Sequence, residues 1–218
     1  MSVRLAVFDC DGTLVDGQGS ICAAMEQAFA HAGLPAPERH AIRRIVGLSL
    51  PHAVRQLVPD CRDAEVALIV DAYKQAYRAA RASGELAEPL FGGIAELLDG
   101  LRGQGWLLGV ATGKSDRGLS HCLATHGLTG HFCTLQTADR HPSKPHPAML
   151  EEALADALAD PAYAVMIGDT AYDMIMAVSA GVRAIGVDWG YHEASELHAA
   201  GAEFVATSPR QLGEYLIR

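Results

Sequence analysis

The apolar positions fall into two regimes. The chain opens with the run Val3-Arg4-Leu5-Ala6-Val7-Phe8, which predicts a buried strand, and the acidic segment Asp9-Cys10-Asp11-Gly12-Thr13 follows at once. Helical spacing then takes over. Ile21, Met25, Ala28 and Phe29 share one face and end at Gly33-Leu34-Pro35. Ile42, Ile45 and Val46 predict a short helix stopped by Gly47. Val54, Leu57 and Val58 predict another, with Pro51 in its first turn and Pro59 ending it. Val66, Ile69, Val70, Tyr73 and Tyr77 predict a long fourth helix, and Glu85-Leu86-Ala87-Glu88-Pro89 reads as a return linker.

After Pro89 helices and strands alternate. A helix through Ile94, Leu97, Leu98 and Leu101 leads to a strand Trp106–Ala111 that ends in Thr112-Gly113-Lys114. A helix with Leu119, Cys122 and Leu123 precedes a weaker strand around Phe132-Cys133-Thr134-Leu135. Met149, Leu150, Ala153 and Leu154 mark the next helix, before Tyr163–Ile167 and its terminal Gly168-Asp169. A helix through Met174 and Ala177 precedes Ala184–Asp188, and Phe204-Val205-Ala206 reads as a last edge strand. Apolar strands alternating with helices predict an α/β fold, a Rossmann-like parallel sheet covered on both faces. The expected division is a core of residues 1–15 and 89–218 with an inserted helical-bundle cap of residues 16–88, set over the strand ends as a lid.

Composition narrows the function. The 218 residues carry a net charge of -9, which argues against nucleic-acid and anionic-membrane surfaces, since both require a basic field. Arg4 and Asp9 interrupt the only apolar stretch at the N-terminus, so no signal peptide is expected, and no apolar run approaches a membrane span. Five scattered cysteines without a Cys-x-x-Cys pair predict reduced thiols and a cytoplasmic location. Cys10 should point away from its neighbours on a strand end, and is expected to pack.

Three predicted strands end in polar residues that would meet at one rim of the sheet: Asp9 and Asp11, Thr112, and Gly168-Asp169. Ser143-Lys144-Pro145 adds a lysine ahead of the helix that feeds the Asp169 strand. Strand carboxyl ends are where open α/β sheets bind ligands. Two acids one residue apart repel, a conflict that a divalent cation removes.

The set Asp9-x-Asp11-Gly12-Thr13-Leu14-x-Asp16, Thr112, Lys144-Pro145 and Gly168-Asp169-Thr170-x-x-Asp173 resembles the four motifs of the haloacid dehalogenase superfamily of phosphohydrolases, and the insertion resembles the C1 cap of its subfamily I. The resemblance spans essentially the whole chain. It implies a Mg²⁺-dependent phosphatase acting on a small phosphorylated metabolite through an aspartyl phosphate. Asp9 would then be the nucleophile and Asp11 the general acid and base, with Thr112 and Gly113 binding a phosphoryl oxygen and Lys144 offsetting charge. Asp9, Asp11 through its backbone carbonyl, and Asp169 would hold the metal. Asp173 would ligate through water or orient Lys144.

The segment Arg43-Arg44-Ile45-Val46-Gly47-Leu48-Ser49-Leu50 resembles the cap loop of phosphoglycolate phosphatase-like members. Arg43, Arg44, Gly47 and Ser49 thereby become candidate substrate contacts, 2-phosphoglycolate the leading substrate, and a monomer or homodimer the expected assembly. The competing readings are a phosphosugar mutase resembling β-phosphoglucomutase and a non-catalytic phospho-acceptor regulatory domain.

Overall fold

The computed structural model describes residues 2–217. Six strands form one parallel sheet in the order β3-β2-β1-β4-β5-β6: β1 Arg4–Phe8, β2 Trp106–Thr112, β3 Thr134–Thr137, β4 Ala164–Gly168, β5 Arg183–Val187 and β6 Phe204–Ala206. The strand β1 lies in the middle, with Phe8 in register with Val110 of β2 and Ile167 of β4. Alternation sorts its side chains between two apolar clusters. Leu5 and Val7 enter one, while Ala6, Phe8 and Cys10 enter the other. Asp9 and Asp11 therefore leave the strand end on the side opposite Cys10, whose Sγ lies 3.9 Å from Cys122 Sγ in the core.

Helices α1 Gln18–His31, α2 Arg39–Arg44, α3 Leu50–Leu57 and α4 Asp63–Ser83 separate β1 from the rest of the sheet. Ile21, Met25, Phe29, Ile42, Val54 and Ile69 close a third apolar cluster among them. Pro51 occupies the first turn of α3, where its missing N–H costs nothing. α4 ends at Gly84 in a left-handed C-cap. The chain enters and leaves this helical layer side by side, because Asp16 N donates to Pro89 O at 2.8 Å and Phe91 N donates to Leu14 O at 3.0 Å. None of the described helices is long and apolar enough to cross a membrane.

The remaining helices are α5 Ile94–Gly103, α6 Asp116–Thr125, α7 Ala148–Ala157, α8 Ala171–Ser179, α9 Ala194–Ala199 and α10 Pro209–Leu216. The periodicity gave no sign of α9 or α10. The strand expected around Phe132–Leu135 begins two residues later. Phe132 packs against the core before the chain joins the sheet, and the buried residues of β3 are polar. Their polar groups are satisfied: Thr134 Oγ1 and Gln136 Nε2 each donate to Asp156 Oδ2 at 2.7 Å.

Candidate active site

The carboxyl ends of β1 and β4 are adjacent, which brings Asp9 and Asp169 together; Asp9 N donates to Ile167 O at 2.9 Å. Asp173 approaches from the first turn of α8 and Lys144 from the loop before α7. Lys144 Nζ lies 2.9 Å from Asp9 Oδ1 and 2.6 Å from Asp173 Oδ1, with all three side chains fully buried. Asp173 Oδ2 accepts from Thr170 Oγ1 at 2.6 Å and Thr170 N at 3.1 Å, the capping box of α8. Asp169 accepts from Thr13 Oγ1 at 2.8 Å through Oδ1 and from Tyr191 N at 3.0 Å through Oδ2.

Asp9, Asp169 and Asp173 each present a carboxylate oxygen within 4.8 Å of the others. Three buried carboxylates against the single charge of Lys144 leave two negative charges uncompensated. Burial, then the neighbouring acids, pushes Asp169 well above the ordinary carboxylate range. Asp9 is pushed up to about 7 by burial, even against the pull of Lys144. Asp9 Oδ1 is held by Lys144 and by Cys10 N at 2.7 Å, whereas Asp9 Oδ2 is buried without a hydrogen-bond partner. An all-oxygen donor set, an orphaned oxygen and an excess of two charges fit a hard divalent cation. Gly12 belongs to the same packing. Its φ is +86°, and a Cβ there would lie 2.2 Å from Asp169 Oδ2.

The Asp11 carboxylate stands outside this cluster. Its Oδ1 is 2.9 Å from Lys114 Nζ, and Lys114 is also 2.5 Å from Glu88 Oε1, which accepts from Tyr77 OH at 2.6 Å. Burial raises the Asp11 carboxyl despite Lys114. Lys114 is held well above its usual value, the Asp11 and Glu88 charges outweighing burial. Thr112 Oγ1 accepts from Lys114 N at 3.2 Å, which leaves its hydroxyl proton for another acceptor.

The loop after α2 covers the strand ends. A Cβ on Gly113 would meet Leu48 O at 2.5 Å and Gly47 O at 2.6 Å, so only glycine allows this seating. Ser49 N donates to Ser143 Oγ at 2.8 Å, tying the loop to the segment that carries Lys144. Beside it opens a cavity of about 400 Å³, lined by Asp11, Gly113 and Lys114 on the sheet side and by side chains of α1, α3 and α4. Gly47 and Ser49 line it; Asp9 does not, because the loop lies over it.

Two candidate contacts are not brought to the cavity. Arg44 points to α9 and pairs with Glu196 through two bonds of 2.6 Å, and Arg43 donates to Gln18 Oε1 at 3.2 Å. Neither lines the cavity: each engages a neighbouring helix, Arg43 at α1 and Arg44 at α9. The Asp11 carboxylate is not among the three grouped acids; it pairs with Lys114. Sequence reasoning missed Lys114, Glu88 and Tyr77. Lys114 was visible beside Thr112, but Glu88 read as linker and Tyr77 as helix core, and only the fold joins them.

Residues 6–187 match the family model of the haloacid dehalogenase-like hydrolases, and the chain belongs to that family. A relative named Probable phosphatase IndB from Dickeya dadantii is 37% identical over 204 residues, covering 92% of this chain and 88% of that protein. A Phosphoglycolate phosphatase from Vibrio parahaemolyticus is 28% identical over 224 residues, covering 97% and 95%. Among solved structures, one described as a predicted phosphatase from Clostridium acetobutylicum superposes with a TM-score of 0.89 at 24% identity, covering 100% of this chain and 99% of that one.

Proposed function

We propose that this hydrolase cleaves small phosphate monoesters, with Asp9 as nucleophile and Asp11 as proton carrier. The observation that carries the reading is the free Asp9 Oδ2 at the end of β1, with Asp11 two residues away lining a cavity. Asp9 attacks phosphorus in line, the ester P–O bond breaks, and the leaving alkoxide takes a proton from Asp11. Asp11 then accepts a proton from water, which attacks the aspartyl phosphate and releases phosphate, regenerating the Asp9 carboxylate.

Lys144 holds Asp9 Oδ1, and its charge offsets that of the phosphoryl group. The Thr112 hydroxyl and the backbone at Gly113 offer donors at the neighbouring strand end. Asp9 and Asp169, with the Asp11 carbonyl, would hold Mg²⁺, which neutralises charge on the phosphoryl oxygens when bound. Asp173 is committed to Lys144 and Thr170, which favours its orienting role over ligation. The Gly47–Ser49 loop must lift to admit substrate to Asp9.

Relatives named phosphoglycolate phosphatase support 2-phosphoglycolate as the first ester to assay, with the seated loop as the cap element above the reacting group. The test is phosphate release from an ester panel with Mg²⁺, with Asp9→Asn as the blank. Release by the wild type alone supports the reading. Isomerised phosphosugar without release replaces it with a mutase, and equal activity in the Asn variant removes it.

A further inference from the structure

Among the described residues, every lysine and arginine side chain has an ion-pair or hydrogen-bond partner except four: Lys74, Arg78, Arg81 and Arg117. All four line the same cavity. Lys74, Arg78 and Arg81 stand at i, i+4 and i+7 on one face of α4, a patch roughly 10 Å long at the helical rise. Arg117 faces them from α6. Like charges so spaced repel, and an arginine cannot relieve the repulsion by losing a proton.

The nearby acids do not neutralise the patch. Asp11 and Glu88 are taken by Lys114, and Asp139 accepts from Asp116 N. Arg81 lies in the field of Glu88, yet its Nε is buried with no hydrogen-bond partner. In a protein of net charge -9, the unengaged cations among the described residues thus share a single concave site. The same cavity carries an apolar belt, with Tyr73 and Tyr77 stacked at 5.5 Å and Ile21, Met25 and Leu50 also in its lining.

We infer that Lys74, Arg78, Arg81 and Arg117 form a second anion subsite. The substrate is then a phosphate monoester whose carbon body crosses the apolar belt and carries a further carboxylate or phosphate at its far end. Guanidinium groups suit both anions, binding either through paired N–H donors. A volume of about 400 Å³ has room for such a molecule. The inference rests on the phosphomonoesterase reading for the near end of the ligand and on the cations alone for the far end.

Phosphonates test it without turnover. Calorimetric titration, with Mg²⁺ present, compares straight-chain alkylphosphonates with ω-carboxyalkyl- and α,ω-bisphosphonates of equal length. The anion-tipped series should bind about tenfold more tightly or better at the length that spans the belt, and the better of the two tips identifies the group. In Arg78→Gln/Arg81→Gln, and separately in Arg117→Gln, that preference should fall at least threefold while alkylphosphonate affinity stays within twofold.

Equal binding of tipped and untipped ligands in the wild type overturns the subsite, as does a preference that survives in both variants. Circular dichroism checks folding, and the Arg117 variant tests the subsite independently of α4. A protein that cleaves esters without regard to the second charge loses the subsite alone. One that cleaves no ester yet binds glutarate through the same arginines keeps the subsite and loses the phosphatase reading.

Discussion

Arg44 and Glu196 meet as a parallel fork, Nη1 to Oε2 and Nη2 to Oε1 at 2.6 Å each, and so clasp α2 to α9 across the boundary between the helical layer and the sheet. The contact is reinforced at the same turn. His192 Nδ1 accepts from Ala171 N, which leaves Nε2–H to donate to Arg44 O at 3.2 Å. Burial lowers the pKa of His192, so the neutral ring fills this role.

The clasp should respond to acid. Hydrogen bonding from Arg44 lowers the Glu196 carboxyl from 4.5 to about 2. A depressed acid stabilises above its ordinary value and loses that contribution as pH falls, here between about 4.5 and 2. Hydrogen exchange of the Ile45–Leu48 amides, corrected for intrinsic rates, should therefore accelerate in the wild type only below about pH 4.5. Glu196→Gln should show the accelerated rate already at pH 7. Identical protection in the two proteins at pH 7 would remove the clasp from the account.

Asp9→Asn should reduce ester turnover by roughly three orders of magnitude or more, since an amide oxygen is a poor nucleophile for phosphorus. The variant should keep a cooperative thermal transition, because Asn fits the same volume.

Lys144→Met leaves Asp9 and Asp173 buried without their cation. The expected cost is about 3–5 kcal/mol, or a thermal midpoint lower by roughly 10 °C. Adding Asp9→Asn removes one stranded charge, so the double variant should be more stable than Lys144→Met alone. A double-mutant cycle by urea denaturation measures it.

Magnesium should raise the thermal midpoint in the absence of any substrate. Binding at a hundred times its dissociation constant adds about 2.7 kcal/mol. Chelator should reverse the rise, and Asp169→Asn should abolish most of it. Calorimetric scans across a metal titration give the answer.

Gly113→Ala places a methyl against the Gly47 and Leu48 carbonyls. The loop must withdraw, so KM should rise by about tenfold while the melting temperature moves little, the strand itself being unaffected. Steady-state kinetics beside a melt separate these effects.

The sheet was legible because its strands are continuous apolar runs, and parallel strands buried on both faces leave that mark. Asp9, Asp169, Lys144 and Asp173 were legible as candidates because they follow such runs or cap the next helix, and the fold brings the four together. Glu88 and Lys114 are 26 residues apart and meet only because the chain returns beside its own exit, a contact no local pattern encodes. Where the Arg43 and Arg44 side chains lie was not legible, for the converse reason. Their loop was recognisable, but the direction of a side chain on the last turn of α2 depends on Glu196, 152 residues away. Helices α9 and α10 escaped because they bury few apolar side chains, Leu197 in one and Leu212 and Leu216 in the other, too few to mark a face.

The central place of β1 has an evolutionary corollary. The acids follow directly on a strand paired on both sides, whose buried apolar residues cannot change without disturbing the sheet. The unengaged cations sit elsewhere, three on α4 and Arg117 on α6. Under the inferred subsite, substitutions in α4 and α6 would alter which far-end group the cavity holds while leaving the reactive acids beside β1 unchanged.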